Sequence, residues 1–161
     1  MRKQKIYLDT SVISHLDAPD APEKMANTRE LWKLLEAGVY DVVLSSVVFA
    51  ELKRCSEPKR DYLTECLNKI RYEIVTADDN ISLLARVFTD YGIMQAKSFD
   101  DCRHIAAALV SGCDIITSWN FKHIVNARTI RGARIISAAE GFKDIIICSP
   151  SMLIGGDFDD G

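Results

Sequence analysis

Residues 6–13 read Ile-Tyr-Leu-Asp-Thr-Ser-Val-Ile, and they give the first indication of the fold class. Its first three residues form a short apolar run of the kind found in strands that are buried on both faces of a parallel sheet. Asp9 ends the run at once. Ligands of open parallel sheets bind outside the carboxyl ends of the strands, so Asp9 is the first candidate site residue.

Four more apolar runs predict strands, and amphipathic segments of helical length separate them. The predicted strands cover residues 41–44, 72–75, 114–117 and 144–147. Helices are predicted around Leu31, after a Ser45 or Ser46 cap, and over 58–67, 80–91, 98–110 and part of 123–140. Strands that alternate with helices pair in parallel through right-handed crossovers. The sequence therefore predicts a three-layer α/β/α sandwich around a parallel sheet of about five strands.

Length and composition are those of one globular domain. The chain has 161 residues, of which 48% are hydrophobic and 27% charged. We expect the domain to cover residues 1–150 and residues 151–161 to form an acidic, flexible tail. The net charge is −3, and three acids, Asp157, Asp159 and Asp160, lie in that tail. The nearly neutral body argues against binding duplex DNA through net positive charge.

The cysteines and the hydropathy predict a cytoplasmic protein. The five cysteines are odd in number and show no C-x-x-C spacing, so we expect free and mostly buried thiols in a reducing compartment. No apolar run approaches the ~18 residues of a membrane span, and the start of the chain does not resemble a secretory signal. Zinc is not expected, because the three histidines are not paired with cysteines at ligand spacing.

Acidic and amide side chains recur at the predicted strand ends. Glu51 follows the second strand, Asp100 and Asp101 open the helix before the fourth, and Asn120 follows the fourth. Carboxylates that pack together with Asp9 would raise each other's pKa values, and a divalent cation removes that conflict. Hard oxygen ligands suit Mg²⁺ or Mn²⁺. The pattern predicts an acidic metal site.

Each of these residues also has a purely structural interpretation. Asp9 and Asn120 are ordinary residues for a cap or a turn. Asp101 stands three residues after Ser98, which is a capping-box spacing, and Glu51 is placed to pair with Arg54. Only the combination of the four favours a site.

Three blocks of the sequence resemble PIN-domain proteins, in particular toxin-like ribonucleases of the virulence-associated protein C (VapC) type. They are Tyr-Leu-Asp-Thr-Ser-Val-Ile from Tyr7, Ser-Ser-Val-Val-Phe-Ala-Glu-Leu from Ser45, and Asp-Cys-Arg-His-Ile-Ala-Ala-Ala-Leu from Asp101 with the segment 112–121. The resemblance implies a PIN-like sandwich and an acidic pocket that holds Mg²⁺ or Mn²⁺. It assigns the ligands as Asp9, Glu51 and Asp101, with Asp100 as a competitor for the last. Asn120 departs from the pattern, because many members have a fourth acid there.

The function that the resemblance implies is metal-dependent hydrolysis of RNA phosphodiester bonds by the toxin of a type II toxin–antitoxin pair. It also implies a cognate antitoxin and a homodimer. The expected catalytic residues are Asp9, Glu51, Asp101 and Asn120. The expected RNA is single-stranded, because a duplex phosphate is hard to bring into a recessed pocket. The candidate substrate contacts are Thr10, Ser11, Lys53, Arg54 and Lys122, with a broader basic stripe at Arg128, Arg131 and Arg134.

Two other functions remain open from the sequence. An aspartyl-phosphate hydrolase of the haloacid-dehalogenase type also has an Asp after its first strand, but Ser11 stands where that family needs a second Asp. The other is a PIN-like module that binds RNA or protein with weak or no catalytic activity, which Asn120 favours. His104 is expected to be a structural histidine of the core, and Trp119 is expected to pack against the sheet edge.

Overall fold

A parallel five-stranded sheet forms the centre of the protein. The computed structural model describes residues 2–155. The strands are β1 (Lys5–Leu8), β2 (Asp41–Ser45), β3 (Tyr72–Val75), β4 (Ile115–Thr117) and β5 (Ile146–Cys148). They lie in the order β3-β2-β1-β4-β5, and all neighbours are parallel. The predicted α/β fold class is therefore confirmed.

Between residues 2 and 155, seven α-helices connect and cover the strands. They are α1 (Thr10–Ser14), α2 (Pro22–Glu36), α3 (Ser46–Leu52), α4 (Glu57–Leu67), α5 (Asp79–Asp90), α6 (Phe99–Val110) and α7 (Ala127–Glu140). The sheet grows from β1 to β3 in one direction and from β4 to β5 in the other. Right-handed crossovers therefore place α2 and α4 on one face and α5, α6 and α7 on the other.

The strand order reverses beside β1, and this reversal determines where the site lies. β1 pairs with β2 on one side and with β4 on the other, with Tyr7 opposite Val43 and Ile116. Ile6, Tyr7 and Leu8 are fully buried, as expected for a central strand covered on both faces. The residues that leave β1 and β4 flank the crevice that such a reversal opens at the carboxyl ends.

Local sequence signals account for most helix boundaries. The Ser45 side chain accepts a hydrogen bond from the backbone N–H of Val47 and caps α3, as predicted. Gly92 and Gly112 follow α5 and α6 with φ of 72° and 70°, a conformation that costs glycine little. Helix α1 was not predicted, because five residues are too few to show a helical repeat.

The packed body extends beyond the predicted domain boundary at residue 150. Pro150–Leu153 form a 3-10 turn, and Leu153 and Ile154 pack against the core. The domain boundary at residue 150 and the flexible tail from residue 151 stay predictions. The three tail acids lie outside the described residues.

All five cysteines are free, as expected, and four of them are buried: Cys66, Cys102, Cys113 and Cys148. Cys55 is half-buried. Between residues 2 and 155, no helix is long and apolar enough to cross a membrane.

Candidate active site

Asp9 lies at the bottom of the crevice between β1 and β4. Its side chain is only 3% exposed. The Ser11 hydroxyl donates a 2.6 Å hydrogen bond to Asp9 Oδ1 and accepts one of 2.9 Å from the backbone N–H of Trp119. Ser11 therefore joins the segments that follow the two strands and holds the carboxylate in one orientation.

Asp9 occupies the N-cap position of α1, but its side chain makes no cap hydrogen bond. The interpretation of Asp9 as a simple cap is therefore wrong. Burial raises the pKa of its carboxyl group, and the nearby Glu51 charge raises it further. The charge of His104 and the hydroxyls of Ser11 and Ser118 act in the opposite direction. A buried carboxylate that the protein stabilises only in part is typical of functional sites.

Glu51, on α3, is paired with His104 on α6. Its Oε1 accepts hydrogen bonds of 2.6 Å from His104 Nε2 and 2.6 Å from the Thr10 hydroxyl. Burial alone would raise the pKa of Glu51, but these two partners and the Arg54 charge hold it below its usual range. Its ion-pair partner within residues 2–155 is His104, and no direct pair with Arg54 forms.

His104 belongs to a buried chain of polar groups. It is 1% exposed, and its Nδ1 lies 2.7 Å from the Tyr7 hydroxyl, which lies 2.7 Å from the Ser45 hydroxyl. Burial lowers the pKa of His104, but Glu51, Asp9 and Asp101 outweigh it, so the net pKa is raised. His104 was expected to be a structural core residue, and it is buried, but it also contacts Glu51. Its position three residues after Asp101, on the same helix face, was the available signal.

Asp101 joins this group, and Asp100 does not. Burial raises the pKa of Asp101, the charges of Asp9 and Glu51 raise it further, and His104 and His123 lower it. Asp100 instead accepts a 3.0 Å hydrogen bond from Arg103. The Ser98 side chain makes no cap hydrogen bond at the start of α6, so the capping-box interpretation of Asp101 is wrong.

Asn120 behaves as a turn residue. Its Oδ1 accepts a 2.9 Å hydrogen bond from the backbone N–H of His123, and its own N–H donates to the Ser118 hydroxyl. The amide oxygen is thus occupied by the turn that carries Lys122 and His123. The catalytic role expected for Asn120 stays a prediction.

The donor set fits a hard divalent cation in its chemistry, although the side chains are not closed around one point. Carboxylate oxygens with room for water are the ligands that Mg²⁺ and Mn²⁺ prefer, and Asp9 and Asp101 lie within electrostatic reach of each other. In the part of the chain that the structure describes, no three His, Cys, Asp or Glu side chains are arranged to hold a metal ion. Glu51 Oε1 is already occupied. The ligand set Asp9, Glu51 and Asp101 therefore stays a prediction.

The expected substrate contacts divide into two groups. Thr10 and Ser11 donate to Glu51 and Asp9, so they orient the carboxylates. Lys53, Arg54 and Lys122 are exposed and remain predicted phosphate contacts. Trp119 is 7% exposed and donates from Nε1 to the Thr28 hydroxyl, which confirms that it packs within the protein.

Comparison with known proteins defines the family. The PIN domain model matches residues 6–120, so the chain belongs to the PIN domain family, a class of nucleases. The haloacid-dehalogenase alternative is therefore wrong. No curated protein matches the chain by sequence.

Solved VapC-type structures have the same fold. Mycobacterium tuberculosis VapC20, a sarcin-ricin-loop-cleaving toxin, is similar with a TM-score of 0.54 and 18% identity, over 87% of this chain and 98% of that chain. Rickettsia felis VapBC2, bound to a DNA fragment from its promoter, is similar with a TM-score of 0.54 and 14% identity. That alignment covers 91% of this chain and 98% of the other.

Proposed function

We propose that this protein is a Mg²⁺- or Mn²⁺-dependent endoribonuclease that hydrolyses phosphodiester bonds of single-stranded RNA. The observation that carries the proposal is the buried Asp9 carboxylate at the strand-order reversal, with Asp101 and the Glu51–His104 pair within electrostatic reach. Membership in the PIN domain family supports a nuclease. The free cysteines support a reducing compartment such as the cytoplasm.

Each residue has a distinct part in this mechanism. Asp9 and Asp101 would hold the cation directly, and Glu51 would orient a water from its free oxygen. A bound cation supplies a Lewis acid that activates water and neutralises charge on the phosphate oxygens. Ser11 and Thr10 keep the two carboxylates in place from the side of α1. The positive charge of His104 lowers the pKa values of all three carboxyl groups and so opposes the effect of their burial.

The direct test is cleavage of a single-stranded RNA by Asp9→Asn. We expect the Mn²⁺-dependent rate to fall by roughly 10²-fold or more, the scale at which one transition-state partner acts. The circular dichroism spectrum should not change, because the amide is isosteric. Asp100→Asn is the matched control, since Asp100 pairs with Arg103 outside the cluster, and it should keep wild-type activity. Full activity in Asp9→Asn would refute the mechanism.

The biological role that we propose is the toxin of a type II toxin–antitoxin pair, with a cognate antitoxin and a homodimeric assembly. The support is the shared fold with VapC20 and VapBC2. Co-expression with the product of an adjacent gene, followed by light scattering of the purified material, tests both partners. A chain that stays monomeric and does not co-purify with the adjacent gene's product would contradict the toxin role. It would not contradict the proposed nuclease activity.

A second candidate is an interaction module without catalytic activity. It is favoured by the turn role of Asn120 Oδ1 and by the lack of a closed metal-binding group in residues 2–155. Calorimetric titration with Mn²⁺ separates the two functions. A nuclease should bind Mn²⁺ in a way that Asp9→Asn abolishes, whereas an inactive module should show no such binding.

A further inference from the structure

A basic cavity opens between the segment before α6 and the start of α7. Its volume is about 300 Å³. Four basic side chains line it, namely Lys97, Lys122, His123 and Arg128, and no acidic residue does. We refer to these four residues and the cavity that they line as the basic pocket.

The cations of the basic pocket are not neutralised by the protein. Within residues 2–155, Lys97, Lys122 and Arg128 form no ion pair, whereas Arg134, further along α7, pairs with Asp144 at 3.7 Å. The whole chain carries a net charge of −3, so this local excess of positive charge is not a consequence of composition. Cations gathered in a recess without counter-charges attract an anionic ligand.

His123 connects the basic pocket to the candidate active site. His123 lines the cavity, and it lies in the turn that follows β4, the strand whose carboxyl end flanks the crevice beside Asp9. Its backbone N–H donates to Asn120 Oδ1. A nucleic-acid strand bound at the crevice would therefore pass the turn that lines the basic pocket.

The walls of the basic pocket are fixed before any ligand binds. The Asn126 side chain donates to the carbonyls of Phe121 and Lys122, and the Thr129 hydroxyl donates to that of His123. Ile93, which also lines the cavity, packs directly against the backbone of α7 at Gly132, where a Cβ would lie 2.6 Å from Ile93 Cγ1. A site whose side chains are already ordered loses less conformational entropy when it binds a ligand.

We propose that the basic pocket binds a backbone phosphate of the single-stranded RNA, adjacent to the phosphate that is cleaved. This inference rests on the proposed nuclease function and adds Lys97, His123 and Arg128 to the predicted contact Lys122. An acidic peptide is the other anion that such a recess could take. RNA fits better, because the turn of His123 both lines the cavity and follows β4 at the crevice, and RNA carries phosphates at a regular spacing.

The test is binding of a fluorescently labelled single-stranded RNA in EDTA, measured by anisotropy over a series of salt concentrations. EDTA prevents cleavage, so the readout does not depend on the proposed chemistry. The triple variant Lys97→Gln/Lys122→Gln/Arg128→Gln should weaken binding. The slope of log K against log salt should fall by about 0.7 for each lost phosphate contact. Lys3→Gln/Lys69→Gln/Arg71→Gln is the control, because these three exposed residues line a different cavity at the amino ends of the strands. It removes the same number of positive charges, and its affinity should stay within about twofold of wild type.

The outcomes separate the two proposals. Wild-type RNA affinity in the triple variant would overturn the basic pocket, whether or not Asp9→Asn is inactive. Loss of affinity for a poly-glutamate peptide alone, with RNA binding unchanged, would also overturn it and assign the cavity to an acidic protein segment. Weaker RNA binding in the triple variant, together with full cleavage by Asp9→Asn, would retain the basic pocket and refute the catalytic proposal.

Discussion

The buried carboxylate of Asp9 reduces the stability of the folded protein at neutral pH. A buried carboxyl group whose pKa is raised in the folded state binds protons more tightly there than in the unfolded chain. Stability is therefore lost as the pH rises through the ordinary value of 3.8 towards the folded pKa. At neutral pH the ionised group costs free energy, and in the proposed mechanism a bound cation would recover it.

We therefore expect Asp9→Asn to raise the melting temperature of the metal-free protein at pH 7. Each kcal/mol of free energy of unfolding corresponds to roughly 2–4 °C for a chain of this size. Differential scanning calorimetry in EDTA measures the gain, which should shrink towards pH 3, where Asp9 is protonated in both states. Mn²⁺ should stabilise the wild type and not the variant. A lower melting temperature for Asp9→Asn than for the wild type would show that the carboxylate stabilises the fold.

His104→Gln should have the opposite effect. The lowered pKa of Glu51 stabilises the fold above pH 4.5, and this contribution is lost as the pH falls through the folded pKa. The raised pKa of His104 stabilises it below pH 6.5, and this is lost as the pH rises through the folded pKa. The pair is thus most effective between those values. Breaking a buried pair typically costs about 3–5 kcal/mol.

Urea denaturation across pH measures this effect. The loss of free energy of unfolding in His104→Gln should be largest between pH 4.5 and 6.5 and smaller on either side. His123→Gln is the control, because His123 is half-buried and lies outside the Glu51 pair. A loss that does not change with pH would mean that His104 acts through packing alone.

At the scale of elements, helix α7 depends on a glycine in its interior. Glycine there costs about 1 kcal/mol relative to alanine, so an alanine would normally be preferred. Here the lack of a Cβ at Gly132 allows Ile93 to pack against the helix. An added Cβ would force the Ile93 side chain to move. Overpacking of this kind typically costs 1–3 kcal/mol.

Gly132→Ala should therefore destabilise the wild type, and the same substitution should stabilise an Ile93→Ala background by up to about 1 kcal/mol. The reversal of sign is the expected signature of a contact between the two residues. A double-mutant cycle from urea denaturation measures it. If the substitution had the same sign in both backgrounds, close packing of Ile93 would not explain the glycine.

Elements were predictable where local chemistry defined them. The apolar runs of β1 to β4 and the Ser45 cap could be assigned from a few adjacent residues, and the structure agrees with them. The pairing of Glu51 with His104 could not, because 53 positions separate the two residues and only the sheet brings α3 and α6 together. The same limit applies to Asn120, whose turn depends on the backbone path after β4.

At the level of the whole molecule, the predicted tail from residue 151 onward shows why the end of a domain is hard to infer from composition. The acidic composition after residue 150 indicated a tail, but Pro150–Leu153 fold as a turn and Leu153 and Ile154 pack against the core. The packing of these two apolar side chains extends the folded core past residue 150, into a segment whose composition is otherwise typical of a chain terminus. The strand order was not predicted, although right-handed crossovers restrict the alternatives to a few.

The cysteines give the molecule one built-in attachment point for a probe. Burial raises the pKa values of the Cys102 and Cys113 thiols to about 12 and that of Cys148 to about 11, and Cys66 is also buried, so these four should resist alkylation. Cys55, three residues after the end of α3, is the accessible thiol. A maleimide dye should add one label per native chain by mass spectrometry. Because Glu51 lies on the helix just before Cys55, a change in the dye's emission on addition of Mn²⁺ would support the proposed role of Glu51 without any mutation.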